Sequence, residues 1–593
     1  MFIKKKIKTL TELNNVSSKN KAYDSVVISL PVYKNDVIFP FNEKLTNKET
    51  QKTIEKILIQ SEKILKEPGS LFIYGSPIQL IKAYEGIPKN LKFRYWIAID
   101  MFDSIENDSN NHLKHNHIGI LMLFKGNRLP YLDTKNTRIP HIACTACEKN
   151  LKDWGGKKHL MNIKGTGISD VWRDFFKVVS SKRDPIRKDI TLDIINAQQP
   201  AFQFNEDEIS TPVLERLLSL VGMPKTETIY LQIRKQLVSP LNKKTRQEVK
   251  IKTSKPIPSE LTNKVILSDA IEIMEKWVKK YPEGIFDLVF ADPPYNLDKD
   301  YKVYDDVLAD KEYLEWSNRW LELCVRLTKP TGNILILNVP KWGLEYAKTL
   351  NQYAYLQNWI VWDALSTPKG KIMPAHYALL YYSKSPIGFI FNNHELVDSP
   401  EYCRRASCIN SRKKPARSFL EEGKNKDNKI SRSDIWWDIP RIKHKKDRDN
   451  HPCQLPISLM DRIVKIFSNE GNLVFDPFAG AGTTAISALK QDRKYLTIEI
   501  DPYYKNLTEK KLKEVQANGY LARKPVKNKV KSIYTKRWLE LKVQEYAVKL
   551  QRKPTFDEFV NYYSLNTIEI EKLYLRPQDV LKAGRVGLLN HNH

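Results

Sequence analysis

The sequence predicts an α/β protein built from two tandem copies of a mostly parallel sheet, followed by a small helical C-terminal region. Three observations carry this. Strand-like apolar runs alternate with amphipathic helical patterns up to about residue 515, the pattern of a sheet covered on both faces. The sequence matches itself at a nearly constant shift. Turns bearing acids and glycines follow several strand-like runs, at the edge where open α/β sheets bind ligands.

The self-match runs in order through both halves. Asp24–Tyr33 (DSVVISLPVY) resembles Asp287–Tyr295 (DLVFADPPY), Gly69–Gly75 (GSLFIYG) resembles Gly332–Asn338 (GNILILN), and Trp96–Asp100 (WIAID) resembles Trp359–Asp363 (WIVWD), all offset by 263 residues. His117 and Cys144 match His376 and Cys403 at an offset of 259, and Ser169–Asp174 (SDVWRD) matches Ser433–Asp438 (SDIWWD) at 264. Six ordered matches with one shift imply a duplication of about 260 residues. The expected organisation is a degenerate copy over residues 1–240, a linker over 241–262 and an intact copy over 263–515. A helical, basic region follows over 516–593. The Lys- and Pro-rich composition of Leu241–Ser259 marks the linker.

In the second copy, strands are expected at Val265–Leu267, Phe286–Ala291, Asn333–Leu337, Trp359–Trp362, Ala378–Tyr382, Leu473–Asp476 and Tyr495–Ile500. Each is a short apolar run rich in β-branched or aromatic residues. Helical patterns fill most of the gaps between them.

Composition narrows the class of function. The 593 residues carry a formal net charge of +28, from 97 Lys and Arg against 69 acids, which points to a polyanionic partner such as nucleic acid. A hydrophobic fraction of 41% is enough for buried cores. No apolar run reaches the roughly 18 residues that span a bilayer, and MFIKKKIKTL has no apolar stretch behind its basic residues. Six cysteines in so long a chain do not form a disulfide framework. A cytoplasmic or nucleoid-associated protein is expected.

Three turns carry chemistry. Asp292-Pro293-Pro294-Tyr295 follows the strand FDLVFA. A carboxylate and a backbone carbonyl there can accept the two N–H groups of an exocyclic amine. They would draw its nitrogen towards a tetrahedral shape and stabilise developing positive charge. The prolines stiffen the loop, and Tyr295 can stack on a base flipped from a duplex. The second turn is Phe475-Asp476-Pro477-Phe478-Ala479-Gly480-Ala481-Gly482, between a strand and a helix. Gly480 and Gly482 let backbone approach a ligand at a helix start. Glu499 ends the next strand, 17 residues after Gly482, placed for ribose hydroxyls. The third is Asp269 after Val265–Leu267, either an acceptor for a cofactor amino group or an ordinary helix N-cap.

With these motifs in this order, residues 263–513 resemble the β class of amino-group DNA methyltransferases, in which DPPY precedes the FxGxG loop. His451-Pro452-Cys453-Gln454-Leu455-Pro456 resembles the HP-x-Q-x-P segment of that family. The resemblance implies a Rossmann-like methyltransferase domain that transfers a methyl group from S-adenosylmethionine to a flipped base in duplex DNA. It makes Asp292, Pro293, Pro294 and Tyr295 catalytic. Asp269, Asp476, Phe478, Gly480, Gly482 and Glu499 become cofactor-binding residues. A leading Asp is typical of adenine-N6 enzymes and Ser of cytosine-N4 ones. The basic segment of about 385–450 falls where the family places target recognition; Arg404–Arg448 alone holds 15 Lys or Arg against 6 acids. A cytosine-N4 enzyme and a non-catalytic DNA-binding module are the alternatives. The chain would act alone or beside a separate restriction subunit.

The first copy lacks the chemistry. Ser29-Leu30-Pro31-Val32-Tyr33 stands in place of DPPY, and Thr226–Gln232 stands where the glycine loop is expected. Cys144, Cys147, Cys403 and Cys408 form two close pairs, C-x₂-C and C-x₄-C, suited to one structural zinc if the copies pack about a pseudo-two-fold axis.

Overall fold

A computed structural model describes residues 5–7, 10–18, 22–30, 48–101, 113–139, 165–173, 209, 211–222, 227–232, 257–296, 308–364, 372–397, 430–442, 449, 454–518, 534–571, 573–574 and 578–583. These fall in two compact units, Met1–Leu521 and Ala522–His593.

Besides two two-stranded pairings, Arg138–Ile139 with Thr166–Gly167 and Leu396–Val397 with Ile430–Ser431, the first unit holds two large sheets. One is formed by β1 (Lys5–Ile7), β2 (Tyr23–Ser29), β3 (Leu65–Gly75), β4 (Leu91–Asp100), β5 (His117–Lys125), β6 (Val171–Trp172) and β7 (Thr228–Gln232), in the order β1-β7-β2-β3-β5-β4-β6. The other is formed by β8 (Lys264–Leu267), β9 (Phe286–Ala291), β10 (Thr328–Asn338), β11 (Tyr355–Asp363), β12 (His376–Ser383), β13 (Ile435–Trp436), β14 (Leu473–Asp476) and β15 (Lys494–Glu499), in the order β8-β15-β14-β9-β10-β12-β11-β13. Every strand expected in the second half is present; the last stops at Glu499.

Six strands of each sheet share one order and one set of directions, with β5 and β12 antiparallel to both neighbours. The registers also correspond. Ser25 pairs with Ser70 and Leu288 with Asn333; Asp100 pairs with His117 and Asp363 with His376. The same register corrects the placing of Thr226–Gln232. Thr228 pairs with Ser25 as Val474 pairs with Leu288, so Thr228–Gln232 is a strand where the glycine loop was expected, and Thr226 lies outside the described residues.

Alternating side chains feed two cores. Along β9 and β10, Val289, Ala291, Ile334 and Ile336 enter one cluster, and Leu288, Phe290, Leu335 and Leu337 enter the other. A branched or aromatic side chain so buried contributes about 1.5–3 kcal/mol. The helices α1 (Leu10–Ser18), α2 (Lys48–Lys63), α3 (Pro77–Glu85), α4 (Thr211–Leu220), α5 (Ala270–Lys280), α6 (Asp310–Leu327), α7 (Pro340–Tyr353), α8 (Ile457–Phe467), α9 (Thr483–Lys490) and α10 (Pro502–Asn518) belong to this unit.

The halves pack through equivalent residues, and one core cluster runs through both. Trp96 stacks on Trp359, with centroids 4.1 Å apart and planes 6° from parallel. Isolated bridges join Lys114 to Ser433 and Ser169 to Met373. Nδ1 of His117 lies 3.0 Å from Oδ2 of Asp434, and Nδ1 of His376 lies 3.1 Å from Oδ2 of Asp170. Each contact has its counterpart with the halves exchanged, the pattern of an isologous interface.

The second unit, among its described residues, is helical: α11 (Lys536–Leu550), α12 (Phe556–Tyr563), α13 (Thr567–Glu571) and α14 (Asp579–Ala583) surround Leu539, Val543, Phe559, Ile570 and Val580. Thr555 and Glu558 close a capping box on α12. No helix among the described residues is long and apolar enough to cross a membrane. Cys144, Cys147, Cys403 and Cys408 lie outside the described residues, and no His, Cys, Asp and Glu cluster able to hold a metal occurs among the described ones.

Candidate active site

The turns singled out by sequence converge because β8, β15, β14 and β9 are adjacent and parallel, so all their C-terminal ends open on one edge. A cavity of about 150 Å³ lies there. Asp269, Asp292, Pro293, Pro294, Asp476, Phe478, Gly480 and Glu499 line it.

Asp292 leaves the end of β9. Tyr295 donates its hydroxyl to Oδ1 of Asp292 at 2.6 Å. Burial raises the Asp292 carboxyl to about 8, against the lowering effect of that hydrogen bond and with a further upward push from Asp476. Tyr295 itself is buried beside Tyr377, with ring centroids 5.9 Å apart, and is not among the lining residues. The loop is held from below. Tyr313 donates to the Pro294 carbonyl at 2.5 Å, its hydroxyl lies 2.6 Å from that of Tyr346, and the Trp342 indole donates to the Tyr295 carbonyl at 2.8 Å.

The glycine loop is braced by its own acid. Asp476 accepts from the Phe478 amide at 2.9 Å and from the Thr484 hydroxyl at 2.5 Å, so both oxygens serve the loop. Burial raises Asp476 to about 6. Gly480 and Gly482 have φ of 51° and 76°, a region that favours glycine. A Cβ at Gly482 would lie 2.4 Å from the Thr508 side chain on α10. Gly482 therefore shapes the loop and does not line the cavity.

Glu499 accepts from the Gly480 amide at 2.7 Å and the Asp501 amide at 2.9 Å. Burial raises its carboxyl to about 7. Asp269 caps α5, accepting from the Glu272 amide at 3.0 Å, and also lines the cavity.

Sequence reasoning missed Ser268, Trp316, Ile500 and Asp501, which also line the cavity; Gln454 and Leu455 were legible only as part of the HP-x-Q-x-P resemblance. Asp501, two residues beyond Glu499, could have been found from the strand tip. Among the described residues its buried Oδ2 has no hydrogen-bond partner, which suits a donor on a bound ligand. Trp316 arrives on α6 and carries no local signal. Five carboxylates line the cavity, and none of the described lining residues is Lys, Arg or His. The donor set fits a cationic nucleoside such as S-adenosylmethionine, whose sulfonium and ammonium groups suit buried carboxylates.

Fold and cavity define a class: an α/β group-transfer enzyme with a nucleoside cofactor at the sheet edge and an acidic, proline-stiffened loop on the cavity wall. Comparison with known proteins agrees. A family model described as DNA methylase matches residues 286–510, and one described as D12 class N6 adenine-specific DNA methyltransferase matches residues 457–578. The type II methyltransferase M.BamHI of Bacillus amyloliquefaciens is 31% identical over 316 residues, covering 49% of this chain and 70% of that protein. The DNA adenine methyltransferase YhdJ of Escherichia coli (strain K12) is 30% identical over 237 residues, covering 38% of this chain and 76% of that protein. The solved M1.HpyAVI–SAM complex matches at 20% identity with a TM-score of 0.30, covering 42% of this chain and 98% of that one.

The chain belongs to the family of amino-group DNA methyltransferases. It is an enzyme that uses S-adenosylmethionine to methylate DNA, and the adenine-specific model agrees with the Asp that heads its DPPY loop.

Proposed function

We propose that the second half methylates N6 of adenine in duplex DNA, flipped out of the stack against the Asp292–Tyr295 loop. The observation that carries this is the shared cavity: Asp292, Pro293 and Pro294 line it together with Gly480 and Glu499. S-adenosylmethionine supplies the methyl group from its sulfonium. Asp269, Glu499 and Asp501 are the groups to hold it. The Asp292 carboxylate and the Pro293 carbonyl accept the two N–H groups of the target amine. As the new N–C bond forms and the S–C bond breaks, the sulfur leaves neutral and the nitrogen becomes cationic. Asp292, with its raised affinity for a proton, receives the surplus one. Labelled S-adenosylmethionine incubated with DNA free of host methylation should yield N6-methyladenine. N4-methylcytosine, or no labelled base, overturns the reading.

The matched strand order and exchanged contacts support the reading of residues 1–240 as a degenerate copy of the second half. Ser29 stands where Asp292 does, so this half supplies no acid to an amine. The basic segment of about 385–450 reads the target. The C-terminal unit adds a phosphate contact, and the enzyme acts alone or beside a separate restriction subunit. Cys144, Cys147, Cys403 and Cys408 hold one structural zinc, a reading that rests on their spacing.

A further inference from the structure

The loop that carries Tyr295 leans on a strand end that the first half holds. Asp170 precedes β6 and is buried. Its Oδ1 accepts from the Ala375 amide at 2.7 Å, and its Oδ2 lies 3.1 Å from Nδ1 of the buried His376. Its own amide donates to the Met373 carbonyl at 3.1 Å, and the Met373 amide donates to the Ile168 carbonyl at 3.0 Å. Residues 373–376 are thus pinned by a segment some 200 residues earlier in the chain.

The next residue is Tyr377. Its ring stacks on Trp362 at 5.2 Å and meets Tyr295 at 5.9 Å. Tyr295 in turn bonds Asp292. A packed path therefore runs from a carboxylate of the first half to the carboxylate that accepts the target amine. Packed interiors transmit small displacements because they hold few voids.

The opposite clasp pairs the same residue types, and there the Asp–His contact is a hydrogen bond. Asp434 accepts from the Asn116 amide at 2.9 Å and meets His117 at 3.0 Å. The strand it holds belongs to the half that has Ser29 in place of Asp292.

We propose that Asp170 is a positioning residue for methyl transfer, setting Tyr295 through Ala375, His376 and Tyr377. The degenerate half thereby completes the geometry of the active one. This rests on the reading of Asp292 and Tyr295 as the reacting loop.

The pseudo-symmetry supplies the control. Asp170→Ala and His117→Ala each open one clasp, and both residues belong to the first half. The full chain is used throughout. Single-turnover methyl transfer to unmethylated duplex DNA should slow by about tenfold in Asp170→Ala, since a misplacement on the order of 1 Å can cost up to a hundredfold. It should stay within about twofold of the parent in His117→Ala. Affinity for S-adenosylmethionine should be unchanged in both, so the loss falls on the rate. A 3-fluorotyrosine at position 295 should shift its fluorine resonance in Asp170→Ala and not in His117→Ala. If Asp170→Ala does not fold, Asp170→Asn, which keeps an oxygen for the Ala375 amide, takes its place. Equal slowing of the two variants, or a parental rate and resonance in Asp170→Ala, overturns the proposal. If the parent transfers no methyl group to DNA, the functional reading fails, and the fluorine comparison still decides the positioning.

Discussion

The hydroxyl of Tyr313, a residue of α6, donates to the carbonyl of Pro294 at 2.5 Å. The same hydroxyl lies 2.6 Å from that of Tyr346, to which the Asn338 amide donates at 3.0 Å. This network fixes the second proline, next to the Pro293 carbonyl proposed to accept from the target amine. Tyr313→Phe removes the donor and leaves buried acceptors unmatched, at a cost of about 1–3 kcal/mol. Methyl transfer is expected to slow by roughly tenfold with cofactor affinity intact, as a misplaced loop predicts. Stopped-flow transfer and calorimetry check it; a weakened cofactor with a normal rate would contradict the assignment.

Asp292→Ala should abolish methyl transfer while cofactor binding survives, because the carboxylate serves the amine. Gly480→Asp should do the reverse and block the cofactor first. The loop has φ of 51° at this position, which a side chain disfavours, and another carboxylate beside Glu499 adds repulsion. Filter binding with labelled cofactor separates the two. Near-normal turnover in Asp292→Ala would remove Asp292 from the reaction.

Cofactor affinity should rise with pH. Asp476, Glu499 and Asp292 are raised to about 6, 7 and 8, each first by burial, so part of the cavity is neutral near pH 6. A cation binds the ionised form more tightly, lowers these values and releases protons. The same raised groups make the empty protein less stable as pH climbs through this range, since the folded state prefers their protonated forms. Calorimetry in buffers of different ionisation enthalpy should show proton release on binding S-adenosylmethionine between about pH 6 and 8. Much less is expected with S-adenosylhomocysteine, whose sulfur is neutral. Equal release for both ligands would exclude the sulfonium as the cause.

One molecule of S-adenosylmethionine should bind per chain. The first half pairs β7 where the second pairs β14, but it has no glycine turn matching Gly480 and Gly482 in the sequence that follows Gln232. Titration calorimetry with two equivalent sites would restore the first half as a working enzyme.

The sequence by itself determined the strands and their order along the chain, and it marked the turns that line the cavity. These are local properties: apolar periodicity marks a strand, and a turn such as DPPY or FAGAG needs its own residues to adopt its shape. Asp292, Gly480 and Glu499 were legible for this reason. Only the tertiary structure decided what those residues touch. It turned the Tyr295 hydroxyl onto Asp292, spent both oxygens of Asp476 on bracing its loop, and let Asp269 cap a helix while lining the cavity. It brought Trp316 to the cavity from a helix, and Asp170 to Ala375 across 205 residues, contacts no local pattern can encode. The physical reason is range. Propensity and turn chemistry act over a few residues, whereas burial and hydrogen-bond satisfaction are settled only when distant segments close on one another.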